Sequence, residues 1–355
     1  MSSSQTTHRP KLRPTTPLVV AILLAVAPLL LHAPTELNML IRLCIWTILL
    51  TGLNFITGLG RLTSLAQAGL YGLGAYAAAI AAVRLGVPTV LTLIIAPALT
   101  GLTAFIIGLG TLRLRAFYFK MATLAIGYVL YLVFGRATEL TGGPSGFPGI
   151  PPLTLFSWDV STPLSKYIVF ATLTVAGLVV ARNVERSRQG QALRALGVSE
   201  PAAVAAGVRP MRVKTFAFVL SAVYAGLAGA LEAYHTMFIS PSTFDFFAAV
   251  LLVVGLYVGG AGSATGPVIG AVLLTVVEEL GFAYADYEPI IMGVVFLVAL
   301  QLFPAGVAGL MRIWIQHFAT RWRRDHGPRR PYDAHTNSPP GAGVDTRTSA
   351  RQEQA

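Results

Sequence analysis

Residues Arg182 to Lys214 read RNVERSRQGQALRALGVSEPAAVAAGVRPMRVK, the one long polar and basic segment between two blocks of apolar runs. Within it, Ser199-Glu-Pro-Ala-Ala-Val-Ala-Ala-Gly207 has the makings of a short helix. Ser199 is placed to cap it, and Glu200 and Pro201 suit its first turn. Gly207 can close it in the left-handed conformation that a β-carbon disfavours. A short, Ala-rich helix between apolar blocks has little core of its own to bury, and its small side chains let another surface come close. Two readings stand side by side: a docking element for a cytoplasmic partner, and an ordinary solvated loop helix.

On either side the chain is too apolar for a soluble domain. Of its 355 residues 54% are hydrophobic and 12% charged, the composition of a helix bundle in lipid. A helix crosses the hydrocarbon layer in ~20 apolar residues. Candidate runs fall at 17–33, 37–57, 62–83, 87–109, 116–135 and 165–181 before the polar segment. After it they fall at 215–235, 246–260, 264–281 and 289–310. The expected fold is an all-α integral membrane protein of about ten transmembrane helices. Its divisions are a tail at 1–16, a first block at 17–181 with a long outer loop at 136–165, the polar segment at 182–214, and a second block at 215–310. The basic tail at 311–355 is too polar to fold alone. The run 17–33 has the look of a signal sequence, but Pro34 and Glu36 follow it where a small-residue cleavage site would stand, so it is read as a span. Cys44 is the single cysteine, which leaves no disulfide framework and no cysteine metal site.

A net charge of +11 would point to nucleic acid in a soluble chain, but its placement gives a simpler cause, and no nucleic-acid partner is expected. With the N-terminus in the cytoplasm, the inner side receives three basic residues from the tail, Arg61, Arg113, Arg115, seven from 182–214 and eight from Arg312 onward, twenty-one in all. The outer side receives only Arg84, Arg136 and Lys166, while Arg42 and Lys120 fall within spans. The positive-inside rule then places both termini and the polar segment in the cytoplasm.

Small residues are also patterned. Gly262, Gly266 and Gly270 recur every four residues, as do Ala222, Gly226 and Ala230. On a helix, either set makes a flat stripe for close packing in lipid. No Lys-Ser or Lys-Thr follows the glycines and no Walker pattern occurs, so nucleotide hydrolysis is expected on another chain. Asn54, Ser64, Gln67 and Tyr76 lie in or beside the Gly-rich third run and are candidates to line a polar path. Glu232, Glu278 and Glu279 lie near outer span ends, where they are expected to snorkel to water, as is Arg42. Gly143-Pro-Ser145-Gly146 has the form of an intramembrane serine protease motif, with His235 as its base, but Ser145 lies in a Pro-rich outer loop and not at a buried helix start. No HExxH or CxxC occurs, and enzyme chemistry is not expected.

Several blocks, in order, resemble the LivM-type permease subunits of ABC importers for branched-chain amino acids. GLNFITGLGRLTSLAQAGLYGLGAYAAA (52–79) is similar to that family's early block through Leu53, Asn54, Ser64, Leu65, Gly72, Gly74, Ala75 and Tyr76. LRLRAFYFKMATLAIG (112–127), TGGPSG (141–146), GGAGSATGPVIGA (259–271) and FPAGVAGL (303–310) resemble later blocks. The polar segment resembles the loop that such permeases insert into a groove on the ATPase, through Gly190, Ala192, Arg194, Glu200, Ala202, Ala203 and Gly207. There are departures: Arg61 and Leu62 stand where the family usually has Gly-Gln, and Ala66 and Ala116 replace usual glycines. The resemblance implies one half of a heteromeric importer in a bacterial cytoplasmic (inner) membrane. Its implied partners are a second, LivH-like permease subunit, two ABC ATPase subunits, an extracytoplasmic solute-binding protein and the bilayer. No cofactor is implied on this chain; ATP and Mg belong to the ATPases. An ABC permease for urea, amides or a sugar is the alternative within the class, and an ion-coupled secondary transporter the alternative outside it.

Overall fold

Most helices of this chain open on a proline or a capping side chain. A computed structural model describes residues 20–24, 34–155, 158–283 and 293. Ten α-helices of six residues or more run from Pro34 onward there: α1 (Pro34–Leu53), α2 (Gln67–Val83), α3 (Thr89–Thr111), α4 (Ala116–Arg136), α5 (Pro163–Arg186), α6 (Arg188–Val198), α7 (Glu200–Ala205), α8 (Pro210–Thr236), α9 (Phe246–Gly259) and α10 (Gly266–Ala283). The side chain of Thr162 caps α5, Ser187 caps α6, Ser199 caps α7 and Asp245 caps α9, each accepting from a backbone N–H in the first turn. Such a cap contributes about 1 kcal/mol. Thr35–Leu59, α3, α4, α5 and α8 are long and apolar enough to cross a bilayer, while α2 and α9 are shorter apolar helices. The run predicted at 17–33 is described only at 20–24, where the Tyr167 hydroxyl donates to Leu24 O at 2.5 Å. The tail 1–16, the tail 311–355, and all of the run 289–310 except residue 293 lie outside the described residues.

α8 is the axis of packing, touching α1, α2 and α3. A β-carbon on Gly74 of α2 would lie 2.5 Å from Gly226 Cα, and one on Gly229 would lie 2.1 Å from Tyr71 O. One on Gly226 would lie 1.9 Å from Thr100 Oγ1 of α3. Three helices therefore meet backbone to backbone, and the Ala222-Gly226-Ala230 stripe lies buried at that meeting. Pro97 stands inside α3, where it forfeits one helical donor. Close by, the Thr100 hydroxyl donates to Ala96 O (2.7 Å) and Pro97 O (3.1 Å). The Tyr224 hydroxyl donates to Gly177 O at 2.6 Å and ties α8 to α5.

The third predicted span is corrected at its start. α1 runs into a π-helical turn, Asn54–Leu59, and residues 60–66 then leave the helix before α2 begins at Gln67. The freed backbone groups find partners: Gly60 N donates to Phe55 O, Leu62 N to Ile56 O, Ser64 N to Thr57 Oγ1 and Leu65 N to Thr123 Oγ1. Arg61 turns this corner with φ 52°, a left-handed backbone on a residue with a β-carbon. That conformation costs roughly 1–2 kcal/mol. Arg61→Gly is accordingly expected to raise the thermal midpoint of the detergent-purified protein, by about 1 kcal/mol of stability; an unchanged or lowered midpoint would contradict this backbone.

A second correction concerns Gly262. It lies in the turn joining α9 to α10 with φ 80°, and not on a helix with Gly266 and Gly270. The four-residue spacing thus spans a turn and a helix start. Gly270 packs tightly, its β-carbon position 2.5 Å from Gly255 O of α9, and that of Gly266 lies 2.0 Å from Gly260 O. In the loop after α4, TGGPSG forms the expected tight turns, and Phe147 pairs with Ile239 through two backbone hydrogen bonds. A two-residue pairing of Thr154–Leu155 with Trp158–Asp159 is the one sheet among the described residues.

Candidate functional site

The segment 188–208 folds as two short helices rooted on the end of α1. The Ser199 cap accepts from Ala202 N, and Gly207 closes α7 with φ 84°. The Gly207 and Val208 N–H groups donate back to Val204 O and Ala203 O. Gly190 lies against α5, its β-carbon position 2.3 Å from Val184 O, and Arg194 pairs with Glu185 at 3.0 Å. Ala203 is buried, whereas Ala202 faces outward. Glu200 pairs with Lys214 of α8 at 2.8 Å. That pair spans fourteen residues and obeys no helical spacing, so no sequence pattern announces it.

Apart from Glu200, what the end of α6 and α7 leave outside is apolar. Val198 is 76% exposed and Val204 49%, and Pro201, Ala202, Ala205 and Ala206 are exposed beside them. What α6 turns inward meets the break after α1. A β-carbon on Gly197 would lie 2.6 Å from Leu59 O, and one on Gly60 would lie 3.2 Å from Leu193 Cδ1.

Of the four polar candidates, Asn54 lies on that π-helical turn, Ser64 in the break after it, and Gln67 and Tyr76 on α2. Asn54 accepts from Gly262 N at 2.8 Å and donates to Ser263 O at 3.2 Å, so one buried side chain knots the two Gly-rich corners together. Two such bonds contribute about 0.5–1.5 kcal/mol each. Thr63 and Tyr257 join the same corners through their hydroxyls at 3.0 Å. Gln67 is buried between α1 and α8, donating to Leu49 O and Ser221 O at 3.4 Å and accepting from the Ser221 hydroxyl at 3.0 Å. Ser64 and Tyr76 bury their hydroxyl oxygens without a hydrogen-bond partner among the described residues. Tyr76 packs on Phe134 at 4.7 Å between ring centroids.

Other candidates are placed differently from the expectation. Arg42 and Glu278 do not reach separately for water; they form an ion pair across α1 and α10. Glu232 on α8 is buried, at 8% exposure. Ser145 sits exposed on its turn, and His235 meets the Phe170 ring edge-on at 6.3 Å. Among the described residues no group of His, Cys, Asp and Glu is arranged to hold a metal ion.

The described residues thus present a helical bundle with five bilayer-length helices and an exposed apolar surface at the α6–α7 corner. Residues 36–300 match the family described as branched-chain amino acid transport system / permease component. The chain belongs to that family. Among curated relatives, the high-affinity branched-chain amino acid transport system permease protein LivM of Escherichia coli K12 is 31% identical over 318 residues, covering 83% of this chain and 75% of the relative. LivH of the same organism is 28% identical over 43% of this chain and 50% of its own length. The ribose import permease protein RbsC of that organism is 27% identical over 64% of this chain and 72% of its own length. No solved structure matches significantly. As a member of this family the chain is a multi-pass membrane component of a transporter.

Proposed function

We propose that this chain is one permease half of an ATP-driven ABC importer for branched-chain or related amino acids. It crosses a bacterial inner membrane about ten times with both termini in the cytoplasm, pairs with a LivH-like permease, and receives cargo from an extracytoplasmic binding protein. Two ATPase subunits carry ATP and Mg and dock on α7. The observation that carries this reading is the folded segment 188–208, whose exposed apolar face includes Val198 and Val204 and whose inner face rests on Leu59 and Gly60. Closure of the ATPase pair pushes α7 as a rigid unit. α6 hands that movement to the turn 54–59, and Asn54 hands it to Gly262 and Ser263. Access then switches from outside to inside, with neutral polar groups such as Asn54, Ser64, Gln67 and Tyr76 serving a zwitterionic cargo without a buried ion.

A sugar as cargo is the second reading, favoured by the likeness to RbsC; the lower identity and shorter coverage place it second. Purification of the tagged protein in mild detergent, followed by mass spectrometry, tests the assembly. A related permease and Walker-motif ATPases are expected to accompany it. A lone protein whose uptake follows an ion gradient would overturn the importer in favour of a secondary transporter.

A further inference from the structure

Arg61 holds a left-handed backbone, φ 52°, which a β-carbon disfavours and a glycine adopts at ease. A strained residue that persists at an exposed corner points to a use for its side chain. The stem of that side chain lies against α6: a β-carbon on Gly197 would be 3.3 Å from Arg61 Cγ and 2.6 Å from Leu59 O. The next residue along is Val198, where the exposed apolar patch of α6 and α7 begins. Arg61 is itself exposed, and no acid pairs with it among the described residues.

Charge around the patch is one-sided. The segment 182–214 has two acids, and each is engaged: Glu185 by Arg194 and Glu200 by Lys214. Arg188, Arg209 and Arg212 are exposed and, like Arg61, have no acid partner among the described residues. An apolar centre with a polar rim, enriched in arginine, is the anatomy of a protein interface. The positive-inside rule accounts for basic residues on this side of a membrane, but it asks none of them to take a left-handed backbone.

We infer that Arg61 is a docking contact, reaching from the break after α1 to a carboxylate on an acidic rim of the ATPase groove that receives α7. The inference deepens the coupling reading above and rests on it. A rim charge of this kind acts mainly on encounter: it steers the partner in, and salt screens it. The chain thereby gives up some stability for recognition, because the residue that would relieve the backbone would lose the contact.

The test measures rebinding of the co-purifying ATPase subunits to the permease complex held in nanodiscs, at low and at high salt. With unaltered protein, association is expected to slow as salt rises. Arg61→Gln removes the charge and keeps the β-carbon. It should slow association by about fivefold at low salt and flatten the salt dependence. Arg61→Lys should retain most of the rate, and Arg61→Glu should lose more than Arg61→Gln. Arg61→Gly, expected above to raise the thermal midpoint, should lose as much as Arg61→Gln, so that a more stable chain docks more slowly. Arg61→Gln with the unaltered rate and salt dependence overturns the inference. So does a loss confined to Arg61→Gly, which would make the backbone responsible and not the charge. A loss in phosphatidylglycerol nanodiscs that vanishes in phosphatidylcholine would assign the arginine to a lipid head group, and likewise overturns it. Unaltered protein that binds no ATPase overturns the coupling reading itself, and the inference with it.

Discussion

Gly226→Leu is expected to leave no folded permease. Gly226 sits where α8 crosses α2 and α3, and even a β-carbon there would lie 1.9 Å from Thr100 Oγ1, 2.9 Å from Pro97 Cα and 3.0 Å from Ala96 O. On its other side, the β-carbon position of Gly74 is 2.5 Å from Gly226 Cα and O. All of these contacts except that with Thr100 are with backbone, which cannot rotate out of the way. Ordinary over-packing costs ~1–3 kcal/mol because side chains give way. Parting three helices costs more, a large fraction of a net stability of about 5–15 kcal/mol. Size-exclusion profiles of a fluorescent fusion are the readout, with loss of the monodisperse peak expected. Gly226→Ala gives a graded form of the same test. It should destabilise, and Thr100→Ala should restore part of the loss by removing the oxygen nearest the new methyl. Equal destabilisation with and without Thr100→Ala would refute the crossing as described.

The second large effect is on coupling. Val198→Asp with Val204→Asp is expected to abolish co-purification of the ATPases and ATP-driven uptake while leaving membrane insertion and thermal midpoint near those of the unaltered protein. Both valines are exposed, Val198 at 76%, so charge on them costs the isolated chain little, within about 0.5 kcal/mol for a surface site. Against an apolar groove the same charges must be desolvated, at several kcal/mol per ion. The pair Glu200→Lys and Gly207→Asp would also disable docking, but less cleanly. Glu200 is engaged with Lys214, and Gly207 holds φ 84°, so those changes disturb the segment's own fold. Normal uptake by the double valine variant would remove α7 from the coupling pathway.

Much of this was legible from residues 182–214 outward, because caps, glycine stops and apolar length are local signals. Ser199, Pro201 and Gly207 do at the ends of α7 what their chemistry dictates. The apolar run from 37 did predict α1, but nothing in its periodicity marked the π-helical turn at Asn54–Leu59, where tertiary contacts with α6 and the α9–α10 turn decide the backbone. Gly262 was misread for a related reason: a spacing of four is the same on paper whether the chain is helical or turning, and only φ 80° distinguishes them. The polar cluster was invisible as a cluster. Arg42 and Glu278 are 236 residues apart, and each alone looks like a side chain reaching for the interface. Only the packing of α1 against α10 told their partners.

Asn54 has one further consequence. It ties the turn on which α6 rests to the corner between α9 and α10, so under the proposed function the docking helices and the Gly-rich corners would share one equilibrium. Thermodynamic linkage makes such sharing reciprocal: whatever factor ATPase docking applies to the corners, the state of the corners returns to the docking constant, typically ~1–3 kcal/mol. Cargo held within the bundle would then be sensed at the cytoplasmic face as a change in how tightly the ATPase is held, before any nucleotide is spent.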